Sequence, residues 1–147
     1  MTMSLGQTKA ITDICLLVED IDRTIDFYTG KLGYRIRRRA EGFVDFHSER
    51  VTLAAWQLDH INRHCGVSNV RSPKEAHKAC VAMELESAGE VDRLYAELSD
   101  KGVPFVGPPG DYVWNARCAY FHDPDGTLWE LYAWTGAGPG DYHDTQE

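Results

Sequence analysis

Residues 121–131 read Phe-His-Asp-Pro-Asp-Gly-Thr-Leu-Trp-Glu-Leu, and this stretch decides the fold. It predicts a strand, a tight turn and a second strand, because the residues on both sides of the turn are aromatic or apolar. In the turn, Pro124 presets φ, the aspartates can bond nearby backbone, and Gly126 accepts a positive φ. Side chains alternate between the two faces of a strand, so Glu130 points away from Trp129 and Leu131. Glu130 therefore faces either solvent or a cavity, and the function depends on which it is.

The chain repeats one order of elements in its two halves. In each half an apolar strand is followed by apolar residues at helical spacing, and the two helices are predicted to end at Gly33 and Gly102. The predicted strands are 11–18, 34–39, 42–47 and 51–58 in the first half, and 80–85, 103–106, 116–122 and 128–134 in the second. This pattern indicates an internal duplication of a strand-helix-strand-strand-strand unit of roughly 50 to 60 residues.

The length of 147 residues fits a single domain, 1–147, with a core large enough to be stable. Within it we expect module 1 at about 10–58, a linker loop at 59–77, module 2 at about 78–135 and a flexible tail at 136–147. A loop as long as 59–77 is unusual inside a compact domain and is often a lid or an interface arm. The tail is rich in Gly and Asp and is expected to fray.

Composition excludes several classes of partner. The net charge is −8, which argues against nucleic acid or an anionic membrane as the main partner. The basic run at 35–39 is short and strand-like, and we expect it to be a solvated face. Residues 1–9 lack the apolar core of a signal peptide, and no apolar run approaches the ~20 residues of a membrane span.

The four cysteines suggest a reducing environment. Cys15, Cys65, Cys80 and Cys118 form no Cys-x-x-Cys pair. Three of them lie in apolar, strand-like runs, where free buried thiols are common. A cytoplasmic location is therefore expected.

Short motifs in both halves resemble one known superfamily. Val18-Glu19-Asp20, Asp26-Phe27-Tyr28 and Leu32-Gly33 in the first half, with the 123–126 turn and Glu130-Leu131 in the second, are similar to the vicinal oxygen chelate superfamily. It includes glyoxalase I, extradiol dioxygenases, fosfomycin-resistance enzymes and bleomycin-resistance binding proteins. The resemblance covers about residues 10–134. It implies the α+β glyoxalase/bleomycin resistance fold, two βαβββ modules forming curved mixed sheets around a cleft, and commonly a homodimer.

The resemblance also implies where a divalent metal would be held. Enzymes of the superfamily use four inward residues from the first and last strands of each copy, and the matching positions here are Asp13, Gln57, Cys80 and Glu130. Asp13 and Cys80 replace two histidines, and a soft thiolate with hard oxygens suits neither zinc nor magnesium. We therefore predict no metal and no other cofactor. The alternative is Fe, Mn, Zn or Ni bound by Gln57, His77 and Glu130 after a shift of register.

Aromatic residues point to a binding protein. The segment around Trp114 is similar to the Trp-Gly-x-Arg segment of bleomycin- and mitomycin-type binders, in which an aromatic residue stacks on a planar ligand, although Asn115 replaces the glycine. Core packing of Trp114 is the alternative. Glu130 is either a cleft carboxylate or an inward polar residue bonded to Arg117 or to water. The predicted ligand-binding residues are Asp13, Phe46, Trp56, Gln57, Tyr112, Trp114, Arg117 and Glu130.

The sequence thus favours a metal-independent small-molecule binding protein of the bleomycin-resistance type. Its ligand would be planar or aromatic, and cationic groups would suit the acidic residues. The competing prediction is a metal-dependent lyase, isomerase or ring-cleaving dioxygenase of the glyoxalase superfamily. A third is a metal-free enzyme with Glu130, the candidate catalytic residue, or Asp13 as general base.

Overall fold

The structure is a computed structural model that describes residues 4–136 and 138. The chain divides into two compact units, Met1–Arg71 (the first unit) and Ser72–Glu147 (the second unit). Within the described residues each unit contains a β-α-β-β-β series and a four-stranded mixed sheet. The predicted α+β class and the duplicated βαβββ plan are therefore confirmed.

The first unit contains α1 (Leu5–Thr8), β1 (Asp13–Val18), α2 (Ile21–Asp26), a π-helix (Phe27–Lys31), β2 (Ile36–Ala40), β3 (Phe43–Phe46), β4 (Thr52–Gln57) and α3 (Leu58–Cys65). Its strand order is β1-β4-β3-β2, with β1 parallel to β4 and the other pairs antiparallel. One face of this sheet packs against the helix that follows β1, and buried residues such as Val18, Tyr28, Val44 and Phe46 form the core there.

Local chemistry sets where the α2 helix begins. The Asp20 side chain accepts hydrogen bonds from the backbone N–H groups of Asp22 and Arg23, at 3.0 and 3.2 Å. The Oε1 atom of Gln57 accepts a third, from the N–H of Ile21, at 3.0 Å. These side chains satisfy N–H groups that have no partner inside the helix.

The second unit contains β5 (Cys80–Glu84), α4 (Ala88–Asp100), β6 (Gly110–Tyr112), β7 (Ala116–His122) and β8 (Leu128–Trp134), in the sheet order β5-β8-β7-β6. Ser87 caps α4 by accepting the N–H of Glu90 at 3.1 Å. The α4 helix packs on one face of the sheet, where Val91, Ala119 and Ala133 are buried together. The 123–126 turn joins β7 to β8 as predicted, and Gly126 has a φ of 83°.

Several sequence-based predictions differ from the structure. The first part of the predicted loop 59–77 belongs to α3, so about a third of it is helix and not loop. The predicted strand 103–106 contributes only an isolated bridge between Phe105 and Phe121, and β6 forms the sheet edge instead. The predicted flexible tail lies outside the described residues except for 136 and 138. Among the described residues, no helix is long and apolar enough to cross a membrane.

The prediction for the cysteines requires correction, and the basic run has a contact that was not predicted. All four thiols are free, but only Cys118 is buried; Cys15, Cys65 and Cys80 are exposed. For Cys15 and Cys80, which lie in apolar runs of the sequence, the predicted burial is therefore wrong. The basic run is solvated as predicted, because residues 35–39 are all exposed, and in addition Arg37 and Arg38 both bind the buried carboxylate of Asp45.

Candidate functional site

The second sheet carries Glu130 on the face opposite α4. Glu130 lies between Ala82 of β5 and Tyr120 of β7 in the ladder. The hydroxyl of Tyr120 donates a hydrogen bond to the Glu130 carboxylate at 2.7 Å. Both side chains are half-buried. We call the surface formed by Tyr112, Trp114, Cys118, Tyr120 and Glu130 the Glu130 face.

Cys118 joins the members of the Glu130 face. Its thiol is fully buried and lies close to the side chains of Glu130, Trp114 and Tyr120. Burial, followed by the bond to Glu130 and its negative charge, raises the pKa of Cys118 to about 11. The same causes raise the pKa of Tyr120 far above its ordinary value. Both groups therefore stay protonated at neutral pH and act as neutral hydrogen-bonding groups around one carboxylate.

The tip of the β6–β7 hairpin presents two parallel aromatic rings. The rings of Tyr112 and Trp114 stack with centroids 4.7 Å apart and an interplanar angle of 13°. The hairpin is closed by a hydrogen bond from the N–H of Asn115 to the carbonyl of Tyr112 at 3.1 Å. Asn115 has a φ of 60°, in the left-handed region where glycine is common and asparagine is the best-tolerated substitute. The replacement of glycine by asparagine in this segment thus fits the turn.

The other face of the second sheet is structural. Trp129 and Leu131 are buried there, and Trp129 stacks on Phe121 at 5.9 Å, as expected from the alternation of β8. Arg117 also lies on this side, where it binds Asp92 of α4 at 2.7 Å and Asp111 at 3.1 Å. Of the predicted ligand-binding residues in this unit, Tyr112, Trp114 and Glu130 therefore share one face and Arg117 does not. The partner of Glu130 is Tyr120 rather than Arg117.

The predicted residues of the first unit are also divided between two faces. Asp13 and Trp56 lie on the face away from α2, and the Asp13 carboxylate accepts the hydroxyl hydrogen of Thr12 at 2.6 Å. Phe46 is only 1% exposed and packs against Tyr28 and Tyr34 in the core. Gln57 is on the same side of β4 as that core, with its Oε1 atom occupied at the start of α2.

The residues at the metal positions do not fit a four-ligand metal site. Cys80 opens β5 opposite Leu128, as Asp13 opens β1 opposite Thr52. Two residues further along these strands, Ala82 of β5 pairs with Glu130 of β8 in the second sheet. The equivalent pair in the first sheet is Cys15 of β1 with Ala54 of β4. The counterpart of Glu130 is therefore Ala54, which has no donor atom, and not Gln57. Within residues 4–136 and 138, no cluster of three His, Cys, Asp or Glu side chains could hold a metal.

Two cavities occur away from the Glu130 face. One, of about 420 Å³ in the second unit, is lined by His77, His122 and the 123–126 turn, and the two imidazoles stack at 5.2 Å. The other, of about 530 Å³ in the first unit, lies among the start of α2, the β2–β3 turn and α3. Glu130 lines neither of the two.

Sequence reasoning missed Tyr120, Cys118 and Asp45. The sequence did contain a signal for Tyr120 and Cys118. Residues at equal distances from the centre of a hairpin turn pair across the hairpin, and Tyr120 and Glu130 are equally distant from Asp125. For Asp45 the short strand Phe43–Phe46 gives no such reference. Asp45 is nearly fully buried, and its carboxylate is bound by Arg37 and Arg38.

Comparison with known proteins agrees with this architecture. The family profile of the Glyoxalase/Bleomycin resistance protein/Dioxygenase superfamily matches residues 10–131, and the chain belongs to that superfamily. A glyoxalase/bleomycin resistance protein/dioxygenase from Nocardioides has a similar structure, with 40% identity, a TM-score of 0.86, and coverage of 95% of this chain and 90% of that one.

Two further matches are more distant. The uncharacterized protein YraH of Bacillus subtilis (strain 168) is 29% identical over 83% of this chain and 96% of its own length. A lactoylglutathione lyase from Agrobacterium tumefaciens has a TM-score of 0.68 at 19% identity, covering 84% of this chain and 92% of that one. At this level of identity the likeness shows the fold alone, because one fold supports many functions.

Proposed function

We propose that this protein binds a planar aromatic compound carrying an amine, without a metal ion, and sequesters it unchanged. The observation that carries the proposal is a continuous series of contacts: Trp114 stacks on Tyr112, Tyr112 meets the ring of Tyr120 edge-on with centroids 6.4 Å apart, and Tyr120 donates to Glu130 at 2.7 Å. An aromatic pair thus lies one side chain away from a half-buried carboxylate. Small-molecule sites commonly combine apolar and aromatic walls with a few polar groups that orient the ligand.

The aromatic pair would supply the stacking surface. The Tyr112 and Trp114 rings are already parallel, so a third planar ring can extend the stack without rearrangement of the hairpin. Tyr112 keeps 38% of its surface exposed, which leaves ring surface available to a ligand. Stacked aromatic contacts contribute about 0.5–1.5 kcal/mol beyond the area they bury.

The carboxylates would select for positive charge. The carboxylate of Glu130 has the neutral groups Tyr120 and Cys118 as neighbours, so a ligand meets a net negative site. Glu84 adds a second carboxylate on the same face of the sheet, held by the hydroxyl of Tyr132 at 3.4 Å. Hydrogen bonds between an ammonium group and a carboxylate are stronger than neutral ones.

The test is calorimetric titration with proflavine, a planar cationic diamine, and with an acridine carboxylate of similar size and opposite charge. Proflavine is expected to bind more tightly. Trp114→Leu should weaken proflavine binding about tenfold, and Trp114→Phe, which keeps a ring, should weaken it less. Equal effects of Leu and Phe would contradict stacking, and equal affinity for the two compounds would contradict charge selection.

Metal independence has its own test, which separates binding from the metalloenzyme alternative. The purified, untagged protein would be analysed by plasma mass spectrometry before and after soaking with iron, manganese, zinc and nickel. We expect less than stoichiometric metal, because Ala54 stands at the position that would complete the donor set. About one tightly held metal per chain would contradict the proposal and favour the metalloenzyme.

We further propose that the protein is a cytoplasmic homodimer. The strands β1 and β5 each end their sheet, and Ile14, Leu17 and Met83 on them are more than a third exposed. Apolar residues on an unpaired edge strand favour pairing with another chain. The four free thiols are compatible with a reducing compartment. Sedimentation analysis should detect a dimer that Leu17→Lys with Met83→Lys weakens, while Val113→Lys at the exposed hairpin tip does not.

A further inference from the structure

The cavity of the first unit contains polar groups that the proposed function does not use. It has a volume of about 530 Å³ and lies among the start of α2, the β2–β3 turn and α3. This volume is within the range of about 300–1,000 Å³ that small-molecule sites occupy. Its polar lining consists of Asp22, Arg39, Glu41, Gln57, His60 and Arg63.

His60 is held in the cavity wall as a neutral hydrogen-bond donor. Its Nδ1 atom accepts the indole N–H of Trp56 at 2.9 Å. An indole nitrogen can only donate, so Nδ1 carries no proton and the ring proton is on Nε2. Gly42 permits this position, because a Cβ atom at residue 42 would lie 2.8 Å from the Cβ of His60.

Gln57 offers the cavity a donor for a similar reason. Its Oε1 atom is occupied by the N–H of Ile21 at 3.0 Å, which fixes the side chain and leaves its amide NH₂ group for another acceptor. The two neutral polar groups anchored in the wall, Gln57 and His60, therefore both have N–H to give. A ligand that they orient must present an acceptor oxygen.

The charged residues at the rim indicate that this oxygen belongs to an anion. Arg39 binds Asp22 at 2.7 Å, and Arg63 approaches Glu41 at 3.5 Å. The two carboxylates are 75% and 82% exposed, and ion pairs this exposed contribute little to stability. A ligand carboxylate can therefore take the place of Asp22 or Glu41 at low cost, because the protein carboxylate returns to water.

We propose that this cavity is a second binding site, specific for a small organic carboxylate. Gln57 and His60 donate to its oxygens, and Arg39 and Arg63 balance its charge. Ile21 and Ala40 line the same cavity and give apolar surface to a short carbon body. The site lies within the first unit and takes a ligand of opposite charge to that of the Glu130 face, so it is independent of the proposed function.

The experiment follows the indole N–H signal of Trp56 in proton–nitrogen correlation spectra of the full chain, assigned by its loss in Trp56→Phe. Because this N–H bonds to His60, the signal reports on the cavity wall. Benzoate and glutarate are titrated, with benzamide as the neutral match of benzoate. We expect a saturable shift with the two carboxylates and none with benzamide.

The matched variants test the role of the rim. Arg39→Gln combined with Arg63→Gln should weaken carboxylate binding at least about tenfold, and Arg93→Gln on the exposed surface of α4 should leave it unchanged. The dispersed indole signals show in each spectrum that the variant is folded. The proposal is overturned if neither carboxylate shifts the signal up to tens of millimolar, if benzamide gives the same shift, or if the double variant binds as tightly as the parent.

Discussion

Replacing Asp45 by asparagine should destabilise the first unit far more than the same replacement of Asp22. Asp45 is 1% exposed and accepts five hydrogen bonds: Oδ1 from Arg37 Nε and the backbone N–H of Arg38, and Oδ2 from Arg37 Nη2, Arg38 Nε and Arg38 Nη2. Asn keeps the shape but turns one of the two oxygens into an NH₂ group. Whichever oxygen is replaced, at least two of these N–H groups then face another donor.

The magnitude follows from those lost bonds. A hydrogen bond to a charged group contributes about 1.5–3 kcal/mol, and the arginine side chains can turn partly to water, so the lower end applies and the loss is about 3 kcal/mol. For a chain of this length that corresponds to a fall in melting temperature of about 10 °C. Asp22 binds Arg39 at 2.7 Å, which resembles the contacts of Asp45 in geometry, but it is 75% exposed. Its replacement should cost about 1 kcal/mol or less.

Urea unfolding followed by circular dichroism, with thermal melts, measures both variants against the parent. The hydrogen bonds from Arg37, and then those from Arg38, hold the pKa of Asp45 well below its usual range. A carboxylate with a depressed folded-state pKa stabilises the protein above its unfolded pKa of about 4 and loses that contribution as the pH falls below it. The gap between parent and Asp45→Asn should therefore narrow in acid. Similar losses for Asp45→Asn and Asp22→Asn at neutral pH would refute this reasoning.

Two further predictions concern the second unit. Gly126→Ala should destabilise the protein by about 1–3 kcal/mol more than Gly33→Ala. Both glycines have a positive φ, but only at Gly126 would the new Cβ meet a backbone atom, the carbonyl oxygen of Lys74 at 2.6 Å. Equal losses of stability in thermal melts would show that the positive φ alone matters. Tyr120→Phe should remove a loss of stability in alkali. Because the pKa of Tyr120 is raised in the folded protein, its contribution to the free energy of unfolding is complete below about pH 10 and decreases as the pH rises above that value. Identical alkaline unfolding profiles for the parent and the variant would contradict this prediction.

The sequence predicted the second unit better than the first because its strands alternate. In β8 the buried residues Trp129, Leu131 and Ala133 alternate with half-buried ones, so the orientation of Glu130 followed from parity. In β4 the consecutive residues 53–55 are all buried, so the pattern does not show which side chains point to which face of the sheet. Gln57 was therefore assigned to the wrong face of the first sheet. The residue that corresponds to Glu130 in that sheet, Ala54, was not identified.

Helix α3 was missed because its composition is that of a loop. Its sequence is Leu-Asp-His-Ile-Asn-Arg-His-Cys, and only Leu58 is buried. Tertiary contacts, such as the bond between His60 and Trp56, support it instead. Propensity within the segment cannot reveal a partner on the preceding strand, and for the same reason the carboxylate cavity has no signature in the sequence.

The close approach of Gly42 and His60 predicts how these two positions change together in evolution. Any side chain at residue 42 would need the space of the imidazole and would also have to adopt a φ of 67°. Loss of the glycine should therefore be tolerated only where residue 60 lacks a Cβ atom as well, which would also remove the acceptor of the Trp56 indole. In an alignment of related sequences, residues 42 and 60 should covary, with glycine accompanying histidine.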